Sequence, residues 1–265
     1  MKTKIMLFCL FVVWALVGCG SGQAEEVVAE PQEITVFAAA SLTDAFGEIA
    51  EAFEAQHADA KIIYNFGGSS QLAAQLSEGV DADVFASANS KQMQAAVDAG
   101  RITAGTEALF VSNRLTIIVP ADNPAGITAL EDLAKPDLQL TLAVEGVPVR
   151  DYTDEIVAAM LADFQEQFYA NLVSEEDNVR QVSAKVALGE ADAGIVYTSD
   201  VTPDITDKVQ QIPIPDNQNV IATYPIAPLT DAPHPELAQS FIDFVLGEEG
   251  QAILSRWGFG PPPGK

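Results

Sequence analysis

The chain predicts an α/β protein of two lobes, on three observations. Short β-prone runs alternate with helical patterns, that alternation restarts beyond residue 113, and an extended segment near residue 224 brings the chain back. With 265 residues, 48% hydrophobic and 19% charged, it can bury a full core and is long enough for two lobes. Residues 33–113 and 224–265 are expected to form the first lobe and residues 114–223 the second. The crossings near Asn113-Arg114 and Ala222-Thr223 place a cleft between them. A ligand in that cleft would touch both lobes and favour a closed state.

Ile34 to Ala38 reads as a strand leading into a helix from Thr43 to Gln56, in which Leu42, Ala45, Phe46, Ile49 and Phe53 recur at spacings of three and four as a core-facing stripe. Ile62 to Phe66 precedes a helix from Ser70 to Glu78, and Val84 to Ala86 precedes one from Ser90 to Ala99. Such alternation argues for parallel strands with helices on both faces. The second lobe begins with Leu115 to Val119. It continues with Leu140 to Val144, a helix after Pro148, a helix from Val179 to Leu188 and a strand from Gly194 to Tyr197. Gly189 falls where a helix ends left-handed, and Gly194 lets its strand pack closely. Tyr224 to Ala227 is extended, a helix from Pro235 to Leu246 ends at Gly247, and a short helix covers Glu249 to Arg256.

The first residues read as an address. Lys2 and Lys4 precede an apolar run from Ile5 to Val17, too short for a comfortable membrane span, which runs into Leu16-Val17-Gly18-Cys19. This resembles a bacterial lipoprotein signal. Residues 1–18, with Cys9, would be removed and Cys19 lipidated; residues 19–32 would form an acidic tether to the cell envelope, outside the cytoplasm. An ordinary secretory signal or short anchor that happens to contain a cysteine is the alternative. The rest of the chain has no cysteine, so packing alone must stabilise it.

A formal charge of -25, from 13 Lys+Arg against 38 Asp+Glu, would repel nucleic acid and leaves no broad basic patch for an anion; the surplus reads as a solvated acidic surface. His57 and His234 are too few and isolated for a metal cluster, and no Gly-x-Ser-x-Gly turn marks a serine hydrolase. An anion would therefore be held by neutral donors and helix ends. Twice a strand run leads to a serine that opens a helix: Phe37 leads to Ser41, and Phe66 leads through Gly67-Gly68 to Ser69-Ser70. That arrangement aims free N–H groups and hydroxyls at one small anion. Against this, a serine before a helix is most often a plain N-cap.

Four segments then carry a resemblance. Thr35-Val36-Phe37-Ala38-Ala39-Ala40-Ser41-Leu42-Thr43-Asp44-Ala45, Phe66-Gly67-Gly68-Ser69-Ser70-Gln71-Leu72, Asp83-Val84-Phe85-Ala86-Ser87-Ala88 and Gly194-Ile195-Val196-Tyr197-Thr198-Ser199-Asp200, in that order, resemble the periplasmic molybdate-binding proteins of ABC transporters. The likeness spans nearly everything from Glu33 to Phe259. It implies a class II-type periplasmic binding protein fold, each lobe a mixed sheet flanked by helices. It also implies a dehydrated oxyanion, molybdate or tungstate, held by neutral hydrogen bonds and delivered to a membrane permease by a monomeric binding protein. No cofactor, catalytic residue or direct protein–metal ligand is implied; molybdenum enters only within the oxyanion.

Carried over residue by residue, the ligands fall on the hydroxyls of Ser41 and Ser69, with Ser70 a weaker match, on the backbone N–H groups of Val149 and Val179, and on the Tyr197 phenol. Local chemistry agrees. Pro148 suits the first turn of a helix, leaving the following N–H groups free, and Asn178 with Gln181 reads as a capping box that puts Val179 at the first helical position. A tyrosine at a strand end is otherwise most often a core aromatic with a satisfied hydroxyl. One departure stands out: Arg150 replaces the glycine common after the residue matching Val149. Its guanidinium is expected outside the cleft; if it reached the anion, selectivity would change.

Hydrogen bonds to charged groups contribute about 1.5–3 kcal/mol each, so about five to seven of them would reach roughly micromolar affinity after the costs of closure and desolvation. A donor-only site accepts fully ionised molybdate or tungstate and disfavours protonated phosphate, whose hydrogen needs an acceptor. Sulfate can be rejected only by cavity size. The alternatives are a binder of another oxyanion such as sulfate or a phosphonate, a secreted serine hydrolase, and a lipid-anchored scaffold with no small ligand.

Overall fold

The computed structural model describes residues 31–263. Cys9, Cys19, the expected signal and the tether up to residue 30 lie outside the described residues. The chain runs β1 (Gln32–Ala39), α1 (Thr43–Gln56), β2 (Ala60–Gly67), α2 (Ser69–Ser77), β3 (Val84–Ala86), α3 (Ser90–Asp98), then a long β4 (Ala108–Pro120). It continues through β5 (Leu140–Ala143), α4 (Pro148–Ala158), α5 (Ala162–Ala170), β6 (Leu172–Glu176), α6 (Val179–Ala187), β7 (Ala193–Tyr197), β8 (Val209–Pro213), β9 (Ile221–Pro228), α7 (Pro235–Leu246) and α8 (Glu248–Arg256). No helix among the described residues is long and apolar enough to cross a membrane.

The strands join in the order β2-β1-β3-β9-β4-β7-β5-β6, with β8 added on β4. β1, β2 and β3 are mutually parallel, as are β5, β6 and β7. The expectation of parallel strands fails for the rest, because β9 returns antiparallel beside β3 and β4, and β4 is antiparallel to β7 and β8. The sheet is therefore mixed. β4 also begins earlier than Leu115: its first half, Ala108–Arg114, pairs with β9, and its second half pairs with β7 and β8. Two α/β halves thus share β4 and β9.

Patterning explains most of the elements. Leu42, Ala45, Phe46, Ile49 and Phe53 are all buried, so the apolar face of α1 covers the first sheet half. Phe46 sits at the centre of an aromatic cluster, with ring centroids 5.9 Å from Tyr64, 5.9 Å from Phe110 and 6.1 Å from Phe241. Gly194 packs β7 against α6 as expected: a Cβ there would lie 2.8 Å from Val182 Cγ1 and 3.2 Å from the Thr141 carbonyl. Gly189 closes α6 with a φ of 71°. β1 pairs from Gln32, opposite Ala60, so the first strand begins one residue inside the expected tether.

Truncating the side chain at the heart of α1 should be costly. Phe46→Ala is expected to destabilise the protein by about 3–5 kcal/mol, measured as a lowered midpoint in urea unfolding.

Candidate functional site

β1, β2 and β7 end, and α4 and α6 begin, around one cavity of about 10 Å³. Ser41, Ser69, Val149, Val179 and Tyr197 all line it, beside alanines and glycines of the strand ends; no charged side chain does. Ser70, one residue into α2, is not in the lining. The volume is far below the roughly 300–1,000 Å³ of sites for drug-sized molecules and close to the roughly 10–15 Å³ that one water needs. It suits a small ion.

Neither serine caps its helix. Ser41 lies in a 3-10 turn, Ala40–Leu42, ahead of α1, and Ser69 is the first residue of α2 after Gly68. Ser69 Oγ instead accepts the Ala88 N–H at 3.0 Å, which leaves its own hydrogen free to turn into the cavity. Ser41 Oγ shares a 3.0 Å hydrogen bond with the Tyr224 hydroxyl. If Tyr224 donates, the Ser41 hydrogen is free in the same way.

The helix starts contribute backbone donors. Proline supplies no N–H at the first position of α4, and the Arg150 and Asp151 N–H groups both bond to the Val147 carbonyl, at 2.9 and 3.0 Å. Val149 N–H has no acceptor among the described residues. At α6, Asn178 Oδ1 accepts from the N–H groups of Arg180 and Gln181, and that of Val179 has no acceptor among the described residues. The capping box is displaced by one residue, because Gln181 Oε1 takes the Asp177 N–H at 3.1 Å instead of that of Asn178.

Tyr197 completes the set. Its hydroxyl is buried and has no hydrogen-bond partner among the described residues. A core tyrosine with a satisfied hydroxyl would show an aligned partner there; the nearest phenol, Tyr224, packs with its ring centroid at 5.7 Å. Burial raises the Tyr197 pKa well above the ordinary phenol value, so the group stays a neutral donor. Above it, Gly68 meets the other half of the molecule, where a Cβ would fall 2.6 Å from the Asp177 carbonyl and 3.3 Å from Val147. Only glycine lets the two halves close this far.

Residues 34–260 match the family of bacterial extracellular solute-binding proteins. The chain belongs to that family. Its sequence is 38% identical, over 260 residues and 97% of each chain, to the molybdate-binding protein ModA of Mycobacterium tuberculosis. Among solved structures it resembles the periplasmic molybdate-binding protein of Azotobacter vinelandii (TM-score 0.75, 18% identity, 86% of this chain and 99% of that one). It also resembles the sulfate-binding protein SubI of M. tuberculosis (TM-score 0.78, 20% identity, 88% of each chain). Those two likenesses are of fold.

In this solute-binding protein Arg150 stays out of the cavity. Its buried guanidinium bonds through Nε to Asp154 Oδ1 at 2.8 Å and through Nη1 to Glu175 Oε1 at 2.7 Å and the Ala143 carbonyl at 3.2 Å, and it lies over the Tyr169 ring. It therefore pins the start of α4 to β5 and β6. Tyr224 and Asp200 are the polar groups that sequence reading missed. Asp200 is fully buried, accepts the Tyr197 backbone N–H at 3.1 Å, and has a pKa raised to about 6 by burial, with Asp44 adding to the rise and Arg180 opposing it.

Two outcomes follow from these positions. Arg150→Met should lower stability by about 1–3 kcal/mol in denaturant titration while leaving anion selectivity unchanged in competitive titration. Because the carboxyl of Asp200 binds its proton more tightly folded than unfolded, its contribution to stability is full below about pH 4 and is lost as pH rises through 6. The unfolding free energy of wild type minus that of Asp200→Asn should accordingly decline across that window and level off above it.

Proposed function

We propose that this protein is the extracytoplasmic substrate-binding component of an ABC importer, and that it captures molybdate or tungstate and delivers it to a membrane permease. The observation that carries this reading is the small uncharged cavity into which donors without acceptors converge from both halves of the molecule. Ser41, Ser69, Val149, Val179 and Tyr197 are the proposed ligands. Residues 33–113 with 224–265 and residues 114–223 are the proposed lobes, Cys19 the lipid anchor, and the monomer the working unit. The protein acts by binding and not as an enzyme.

The chemistry favours a fully ionised tetrahedral oxyanion. Ser69 Oγ already accepts from Ala88 and the Val149 and Val179 groups are N–H donors, so a protonated anion finds little to accept its hydrogen. The likeness to the M. tuberculosis ModA supports molybdate in particular. The sulfate-binding relative shares the fold at lower identity, so sulfate is the competitor to be measured.

Calorimetric titration with molybdate, tungstate and sulfate tests the proposal. Molybdate and tungstate should bind comparably and sulfate at least about 100-fold more weakly, a gap of about 2.7 kcal/mol. Equal binding of sulfate would overturn the assignment. Ser41→Ala and Ser69→Ala should each weaken molybdate binding by about 1–3 kcal/mol with the thermal midpoint of the ligand-free protein little changed.

A further inference from the structure

Arg180 follows Val179 at the start of α6 but lies outside the cavity lining. Its side chain reaches across the junction to the other half of the molecule. Nη2 lies 2.6 Å from Asp44 Oδ2, in the first turn of α1, and 3.5 Å from the Ser41 carbonyl, while Nε lies 3.0 Å from Asp200 Oδ1. Asp44 Oδ2, Asp200 Oδ1 and Arg180 Nε are all buried without an aligned hydrogen-bond partner. Charge, more than hydrogen-bond direction, holds the three together.

This cluster touches the proposed donors through their backbones. Ser41 is held by its carbonyl, and Tyr197 by its N–H on the other carboxylate oxygen of Asp200. Asp44 and Ser41 belong to the first sheet half, and Arg180, Asp200 and Tyr197 to the second. Separating the halves would break the Arg180–Asp44 and Arg180–Ser41 contacts and leave Arg180 with Asp200. Lys91 and Asp151 also pair across the junction at 3.0 Å, but the Lys91 side chain is 66% exposed, so solvent screens that contact.

Resting on the oxyanion-binding reading above, we infer that Arg180 is a positioning residue that latches the closed state: with Asp44 it fixes Ser41 and Tyr197 in register across the junction and slows ligand release. The bound anion never touches it. The latch acts on the dissociation rate, since it forms only once the halves meet and has no part in the first encounter.

Stopped-flow binding and displacement of molybdate on the purified full chain test this, with Asp44→Asn and Arg180→Gln as variants. Each should raise the dissociation rate roughly ten-fold while changing the association rate little, and the double variant should be no worse than the more damaging single one. A dissociation rate unchanged in both would overturn the latch. So would a lowered thermal midpoint of the ligand-free protein with no change in dissociation, which is the mark of a merely structural pair. If the wild type itself fails to bind molybdate, the oxyanion reading falls, and small-angle scattering of the ligand-free chain judges the latch alone. In that case expansion of Asp44→Asn relative to wild type supports it, and identical scattering refutes it.

Discussion

Backbone N–H groups at a helix start have no partner within their own helix, and burying one without an acceptor costs about 1–3 kcal/mol. Here the N–H groups of Val149 and Val179 and the hydroxyl of Tyr197 meet this condition at one place, beneath a junction closed by Gly68. The strands of both halves are cut to lengths that end there. Everything else in the fold can be read as holding these dipoles at a common focus, where they remain costly until something negative arrives.

The support is layered. The cavity wall is made of small residues, so the dipoles approach closely. Four of the donors are fixed by a neighbour: Ala88, itself in the lining, orients the Ser69 hydroxyl, and behind the wall Tyr224 orients that of Ser41, Asp200 holds the Tyr197 backbone and Arg150 the start of α4. Behind those lies the aromatic packing of Phe46, Phe110 and Tyr224. A strongly acidic chain can thus present positive dipole ends without exposing a cation to the ligand.

Much of this was legible in the sequence because the relevant signals are local. The stripe of α1, the proline opening α4, the asparagine opening α6 and the glycine of β7 each constrain the few residues around them, and the structure has α1, β3 and α7 within the expected bounds. The elements that escaped lack such signals. β6 is an edge strand reading Leu-Val-Ser-Glu-Glu with Val173 exposed, β8 carries two glutamines, and the first half of β4 gains its meaning only from β9, more than a hundred residues later. The polar partners behind the donors escaped for the same reason. Ser41 and Tyr224 are 183 residues apart, and no spacing rule spans that distance.

The two halves of the molecule are joined through neighbours that run side by side. Asn113 lies opposite Ala222 and Arg114 opposite Ile221, where β4 passes from one half of the sheet to the other and β9 reaches its edge. A two-stranded ribbon of this kind behaves as a leaf spring: it flexes readily across its broad face, where backbone torsions absorb the change, and resists sliding along its edge, where every inter-strand hydrogen bond would have to slip register together. If the two halves part, such a ribbon confines the movement to a single arc. A swing along that arc would return the same dipoles to the same focus each time, without a search over sideways displacements.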